Sequence, residues 1–194
     1  MKKFLLIALS ALFALPTMAD DEVKSWNFTN NEDGECVVEL VIPTEKDQTS
    51  ALKAVKIAIN KISLVGREVV VANDSVLAYK LMKNTKMRYN PFAGSFTENM
   101  AFNFKATYAN GNVYIYMNEF YLISGYSGYG SKVESQSFTA IIDEYNYNQE
   151  LLGNDKIKKK EKKALLDDQE DINGELNMCQ QELDNMMNTI KMGL

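Results

Sequence analysis

Residues 100 to 123 admit few folds. Read in steps of two, Phe102, Phe104, Ala106 and Tyr108 share one face, and Asn103, Lys105 and Thr107 share the other, which is the period of a strand. Asn110-Gly111 follows, the dipeptide best suited to a two-residue type I′ turn because both central positions need positive φ. The alternation then resumes with Val113, Ile115 and Met117. With Ala109 and Asn112 flanking the turn, Tyr108 is predicted opposite Val113, Ala106 opposite Ile115 and Phe104 opposite Met117. Lys105 and Thr107 then share the opposite face with Tyr114 and Tyr116. One face is apolar and the other wet, so the apolar side needs helices or a second sheet against it.

The first residues bear on compartment. Lys2 and Lys3 precede an apolar run from Phe4 to Leu15, and Thr17-Met18-Ala19 offers a small-x-small cleavage site before Asp20-Asp21-Glu22. Residues 1–19 are therefore expected to be a signal peptide, and the mature protein to be exported, periplasmic or extracellular, with no integral membrane segment. Removing the leader leaves 19 basic against 26 acidic residues, a net of about −7. Such a chain is poorly suited to nucleic acid, whose backbone is bound mainly by Lys and Arg. The sequence has no histidine, which removes the usual general base near neutral pH, every His-assisted nucleophile and the commonest zinc ligand. No catalytic, cofactor-binding or metal-binding residues are assigned, and an enzyme is not expected. Cys36 and Cys179 leave two alternatives open: a disulfide suited to an oxidising compartment, or two small buried residues.

Residues 20–34 read as a polar lead-in whose aromatics Trp26 and Phe28 dock on the domain, with a turn at Asn30 to Gly34. An α+β domain is expected over 35–152. Cys36 to Ile42 reads as a well-covered strand stopped by Pro43, with Glu39 its one polar member. Leu52, Val55, Ile59 and Ile62 then recur at helical spacing, predicting a helix over 49–64 with Asp47 or Thr49 as N-cap and Gly66 just past its end. Glu68 to Ala72, Asn73-Asp74 and Ser75 to Met82 predict a second hairpin, and Lys83 to Ser95, holding Asn90-Pro91 and Gly94, a connection. Residues 124–131, with three glycines at spacings unlike any phosphate-binding loop, read as a surface loop. Residues 134–152 read as a short helix, and the lysines of 156–163 as a solvated helix face. In 153–194, a helical segment packed on the domain, Ile172, Leu176, Cys179, Leu183, Met186 and Ile190 form a heptad seam, with a break expected near Asn173-Gly174.

Asp33-Gly34-Glu35 before the first strand, Val41-Ile42-Pro43 at its end and the aromatic hairpin resemble a family of short exported bacterial proteins of unknown function with a fold similar to the TATA-box-binding protein. The resemblance covers roughly residues 28–123. Where members often carry Gly-Lys-Tyr-Arg after the hairpin turn, this chain has Gly111-Asn112-Val113-Tyr114. The resemblance implies a curved antiparallel sheet, here of about five strands, with helices packed on one face, and no reaction.

Three function classes follow. A binding module for an unknown protein or glycan would use Lys105, Thr107, Tyr114 and Tyr116 on the wet face, with Tyr126 and Tyr129 nearby. A carboxylate-dependent hydrolase would need two of Glu119, Asp143 and Glu144 across one pocket. A structural subunit would pair two copies through the C-terminal seam, although a monomer is the simpler expectation for so short a seam.

Overall fold

The computed structural model describes residues 27–90, 94–127, 132–154 and 157–194. The readings made on the leader at 1–19, on Trp26, on Tyr129 and on the side chain of Tyr126 lie outside the described residues. In chain order the elements are β1 (Thr29–Asn30), β2 (Cys36–Pro43), α1 (Gln48–Lys61), β3 (Gly66–Ala72), β4 (Val76–Asn90), β5 (Gly94–Ala109), β6 (Asn112–Ser127), β7 (Val133–Ser137), α2 (Phe138–Leu152) and α3 (Lys159–Gly193). The strands form one antiparallel sheet in the order β1-β2-β6-β5-β4-β3. β7 lies beside β2 along the same edge of β6, pairing its far end while β2 pairs its near end.

The central hairpin has the register that its alternation predicts: Tyr108 faces Val113, Ala106 faces Ile115 and Phe104 faces Met117. Asn110 (φ 50°) and Gly111 (φ 74°) both take the left-handed conformation of a type I′ turn. On the apolar side Phe102, Phe104, Ala106, Val113, Ile115 and Met117 are buried. The three helices cover that side. Asp47 caps α1 by accepting from the Ser50 N–H at 2.9 Å, and Leu52, Val55 and Ile59 point into the core. Ser137 caps α2 by accepting from the Ala140 N–H at 3.3 Å. The heptad seam of α3 is buried at every position, against α1, α2 and β4 of its own chain.

Several expectations need correction. The stretch from Lys83 to Ser95 is mostly not a connection: β4 runs to Asn90 and β5 starts at Gly94, so Asn90-Pro91 marks where the strand stops, while cross-strand pairing makes strand of the residues before it. The helix expected over 134–152 begins only at Phe138, since residues 133–137 complete the edge of β6 as β7. Gly66 opens β3 rather than lying just past the end of α1, which stops at Lys61 with Ile62 as its C-cap. No break occurs at Gly174, where the seam side chains on either side, Ile172 and Leu176, are both buried and hold the 35-residue helix together. Among the described residues the sheet has seven strands rather than about five, the additions being β1 and β7. The lead-in is docked by Phe28, which packs edge-on to Phe120 and Phe138 at 5.8 and 5.0 Å between ring centroids. Cys36 and Cys179 are both buried free thiols, so the bridge is not formed and the small-residue alternative holds. Burial pushes the Cys36 thiol up to about 12 and raises that of Cys179 as well.

The register shifts between Ala101 and Asn103, so that Glu119 and Phe120 of β6 together oppose Phe102 of β5. This β-bulge changes the phase of the strand. Val113, Ile115 and Met117 face the core, and continued alternation would send Glu119 and Tyr121 after them. The extra residue instead turns Phe120 and Leu122 inward and leaves Glu119 and Tyr121 outside. Phe120 stacks on Phe102 at 5.3 Å and 21°.

Candidate functional site

Among the described residues, no element covers the outer face of the sheet. Its side chains form rows across the strands, set by the pairing. One row runs from Ala78 through Lys105 and Tyr116 to Glu39, and the next from Val76 through Thr107 and Tyr114 to Val41. The structure therefore brings together Lys105, Thr107, Tyr114 and Tyr116, as predicted, and adds Glu39 and Val41. Those six line a depression of about 220 Å³. Tyr114 is 39% and Val41 52% exposed, an apolar step beside two phenols, a lysine and a carboxylate. Burial, then the negative charge of Glu35, Glu39 and Asp33, raises the Tyr116 phenol, so it stays a neutral donor at physiological pH. Glu39 and Val41 were missed because β2 reaches β6 from far away in sequence. The available signal was Glu39 itself, the one charge in an apolar strand.

Tyr126 does not join this group. Its backbone pairs with Phe96 at the opposite end of β6, twelve residues beyond Tyr114 and so roughly 40 Å away along the strand. The carboxylates are not brought together either. Glu119 lies on the outer face, whereas Asp143 and Glu144 lie on the exposed side of α2, across the sheet. Asp143 accepts from the Asn30 side chain at 3.1 Å and Glu144 from that of Gln136 at 3.4 Å.

A different acidic group sits on the helix side. Glu98 of β5 is 2% exposed, 3.7 Å from Lys86, and with Glu134 and Glu175 it lines a cleft of about 580 Å³. Burial, then the charge of Glu98, raises the Glu175 carboxyl, while Lys86 opposes the shift. Lys83 and Glu182, 3.2 Å apart, tie β4 to α3 along the same seam. The Lys83–Glu182 pair fastens the long helix to the sheet, whereas Lys86–Glu98 joins β4 to β5. Among the described residues, no three His, Cys, Asp or Glu side chains are placed to hold a metal ion, and no helix is long and apolar enough to cross a membrane.

Fold and site define a class: an α+β protein whose antiparallel sheet is roofed by helices on one face and, among the described residues, bare on the other. Among solved structures the chain is similar to a DUF4468 family protein from Bacteroides ovatus ATCC 8483, with 10% identity, a TM-score of 0.50, and coverage of 84% of this chain and 88% of that one. It is also similar to a TBP-like protein from Parabacteroides distasonis ATCC 8503, with 10% identity, a TM-score of 0.48, and coverage of 83% and 96%. No family model and no curated protein matches the chain. At such identity the likeness to the DUF4468 family protein is one of fold alone, and at that level the expected resemblance to a bacterial family is borne out.

Proposed function

We propose that this protein is an exported, non-catalytic binding module that captures its partner on the bare face of the sheet. One observation carries the proposal: Tyr114, Tyr116, Lys105 and Thr107 stand side by side with Glu39 and Val41 around a depression that nothing else in the described chain fills. Tyrosines on a rigid sheet bury large area at low rotamer cost, and the lysine and carboxylate beside them supply orientation. The separation of Glu119 from Asp143 and Glu144 favours binding over carboxylate hydrolysis. The burial of the α3 seam within its own chain favours it over a subunit that dimerises there. Export is supported by the Lys2-Lys3 and Thr17-Met18-Ala19 pattern.

The test is the double variant Tyr114→Ser, Tyr116→Ser. It is expected to keep the thermal midpoint of the parent and to lose the species that the parent captures from an envelope fraction. Capture at the parental level in a folded double variant rejects the site, and recovery of the parent only from cytoplasm rejects export.

A further inference from the structure

We propose that the outer face carries a second and separate site, a groove beside the Glu119 bulge that takes a neutral oligosaccharide. The groove measures about 510 Å³, within the range of small-ligand sites. It exists because Gly66 and Ala101, on the outer row Gly66-Met82-Ala101-Tyr121, have almost no side chain, leaving the ring of Tyr121 as a wall. The next row places Glu68, Lys80 and Asn103 along its length.

Glu119 completes the groove. It has a φ of 53° in the middle of a strand, a conformation that glycine adopts freely and a glutamate does not. Its carboxylate makes no hydrogen bond or ion pair with the described residues, so the fold draws nothing from the side chain that the bulge turns outward. A strained residue that contributes no packing points to a ligand.

The charges decide the ligand class. Arg67, Lys80, Glu68 and Glu119 sum to zero, and the first three already have partners: Lys80 lies 3.5 Å from Glu68, and Arg67 donates to the Asn60 side chain. Nothing here selects an ion or a phosphate. What remains is a tyrosine ring 42% exposed, apolar neighbours in Met82 and Ala101, and a carboxylate and an amide at the margin. An apolar platform edged by hydrogen-bonding groups matches a pyranose, whose ring face is apolar and whose rim carries hydroxyls. The groove is open, so it suits a short chain of sugars.

The folded protein is titrated with maltotriose, cellotriose and chitotriose separately at millimolar concentrations, following backbone amides by NMR. At least one sugar is expected to shift Glu119, Tyr121 and Asn103 saturably. Tyr121→Ala is expected to weaken that binding about tenfold, Tyr121→Phe to retain it, and Glu119→Gln to weaken it less than the loss of the ring. The variant Tyr114→Ser, Tyr116→Ser is expected to bind the sugar as the parent does, so failure here and failure of the partner site are distinguishable. The proposal is overturned if none of the three sugars gives saturable shifts, if Tyr121→Ala binds as the parent, if the shifts centre on Tyr114 and Tyr116, or if an unstructured Gly-Ser-Thr peptide alone produces them.

Discussion

The phase change in β6 makes a prediction that depends on one residue of register. Phe120 is 2% exposed and contacts Phe28, Phe102 and Phe138, so it ties the lead-in, the central hairpin and α2 into one cluster. Phe120→Ala removes the transfer energy of a buried ring and leaves a cavity that three other rings cannot readily fill. The expected cost is about 4 kcal/mol. With a urea m-value of about 2 kcal/mol/M for a chain of this size, the midpoint should fall by about 2 M. Tyr121→Ala, one position along but outside, should move stability by no more than about 0.5 kcal/mol. Glu119→Gly relieves the left-handed strain, which costs roughly 1–2 kcal/mol for a residue with a Cβ, and adds backbone entropy to the unfolded chain. It should therefore be close to neutral. Urea unfolding followed by circular dichroism measures all three. If Tyr121→Ala costs as much as Phe120→Ala, the bulge is misplaced and the outer groove disappears with it.

Two further outcomes concern α3. The Glu175 carboxyl is raised by burial and by Glu98, above its unfolded value, so its contribution to stability is fully present below the unfolded pKa and is lost as pH rises through the raised value. Glu175→Gln should leave the urea midpoint unchanged in acid and raise it at neutral and alkaline pH; an equal change at both ends refutes the assignment. Gly174 is exposed inside the helix with nothing within 4 Å of an added Cβ, so Gly174→Ala should stabilise by about 0.5–1 kcal/mol, read as a higher thermal midpoint. A loss of stability there would mean that the helix is not continuous.

The hairpin around Asn110-Gly111, the face shared by Lys105, Thr107, Tyr114 and Tyr116, helix α1 and the inward seam of α3 were all legible from periodicity, because each depends on residues close in sequence. Glu39 and Val41 were not, since a strand's neighbour in a sheet is chosen by what else needs covering. Lys83 to Asn90 misled for the same reason: its polar residues give no strand pattern, but seven of its positions pair with β5. Gly174 misled in the opposite sense, because propensity costs the helix less than the buried side chains on either side contribute.

By itself, then, the sequence determined the kinds of element, their apolar faces and the bareness of the central hairpin's wet side. Only the tertiary structure decided where alternation stops being a guide. A bulge adds one residue to one strand, and since side chains repeat every two, everything beyond it exchanges core for solvent. That single insertion put Phe120 inside and set Tyr121 and Glu119 outside, on the lining of the outer groove. The extra residue lies where Phe120 stacks on Phe102, a partner distant in sequence that no local pattern records.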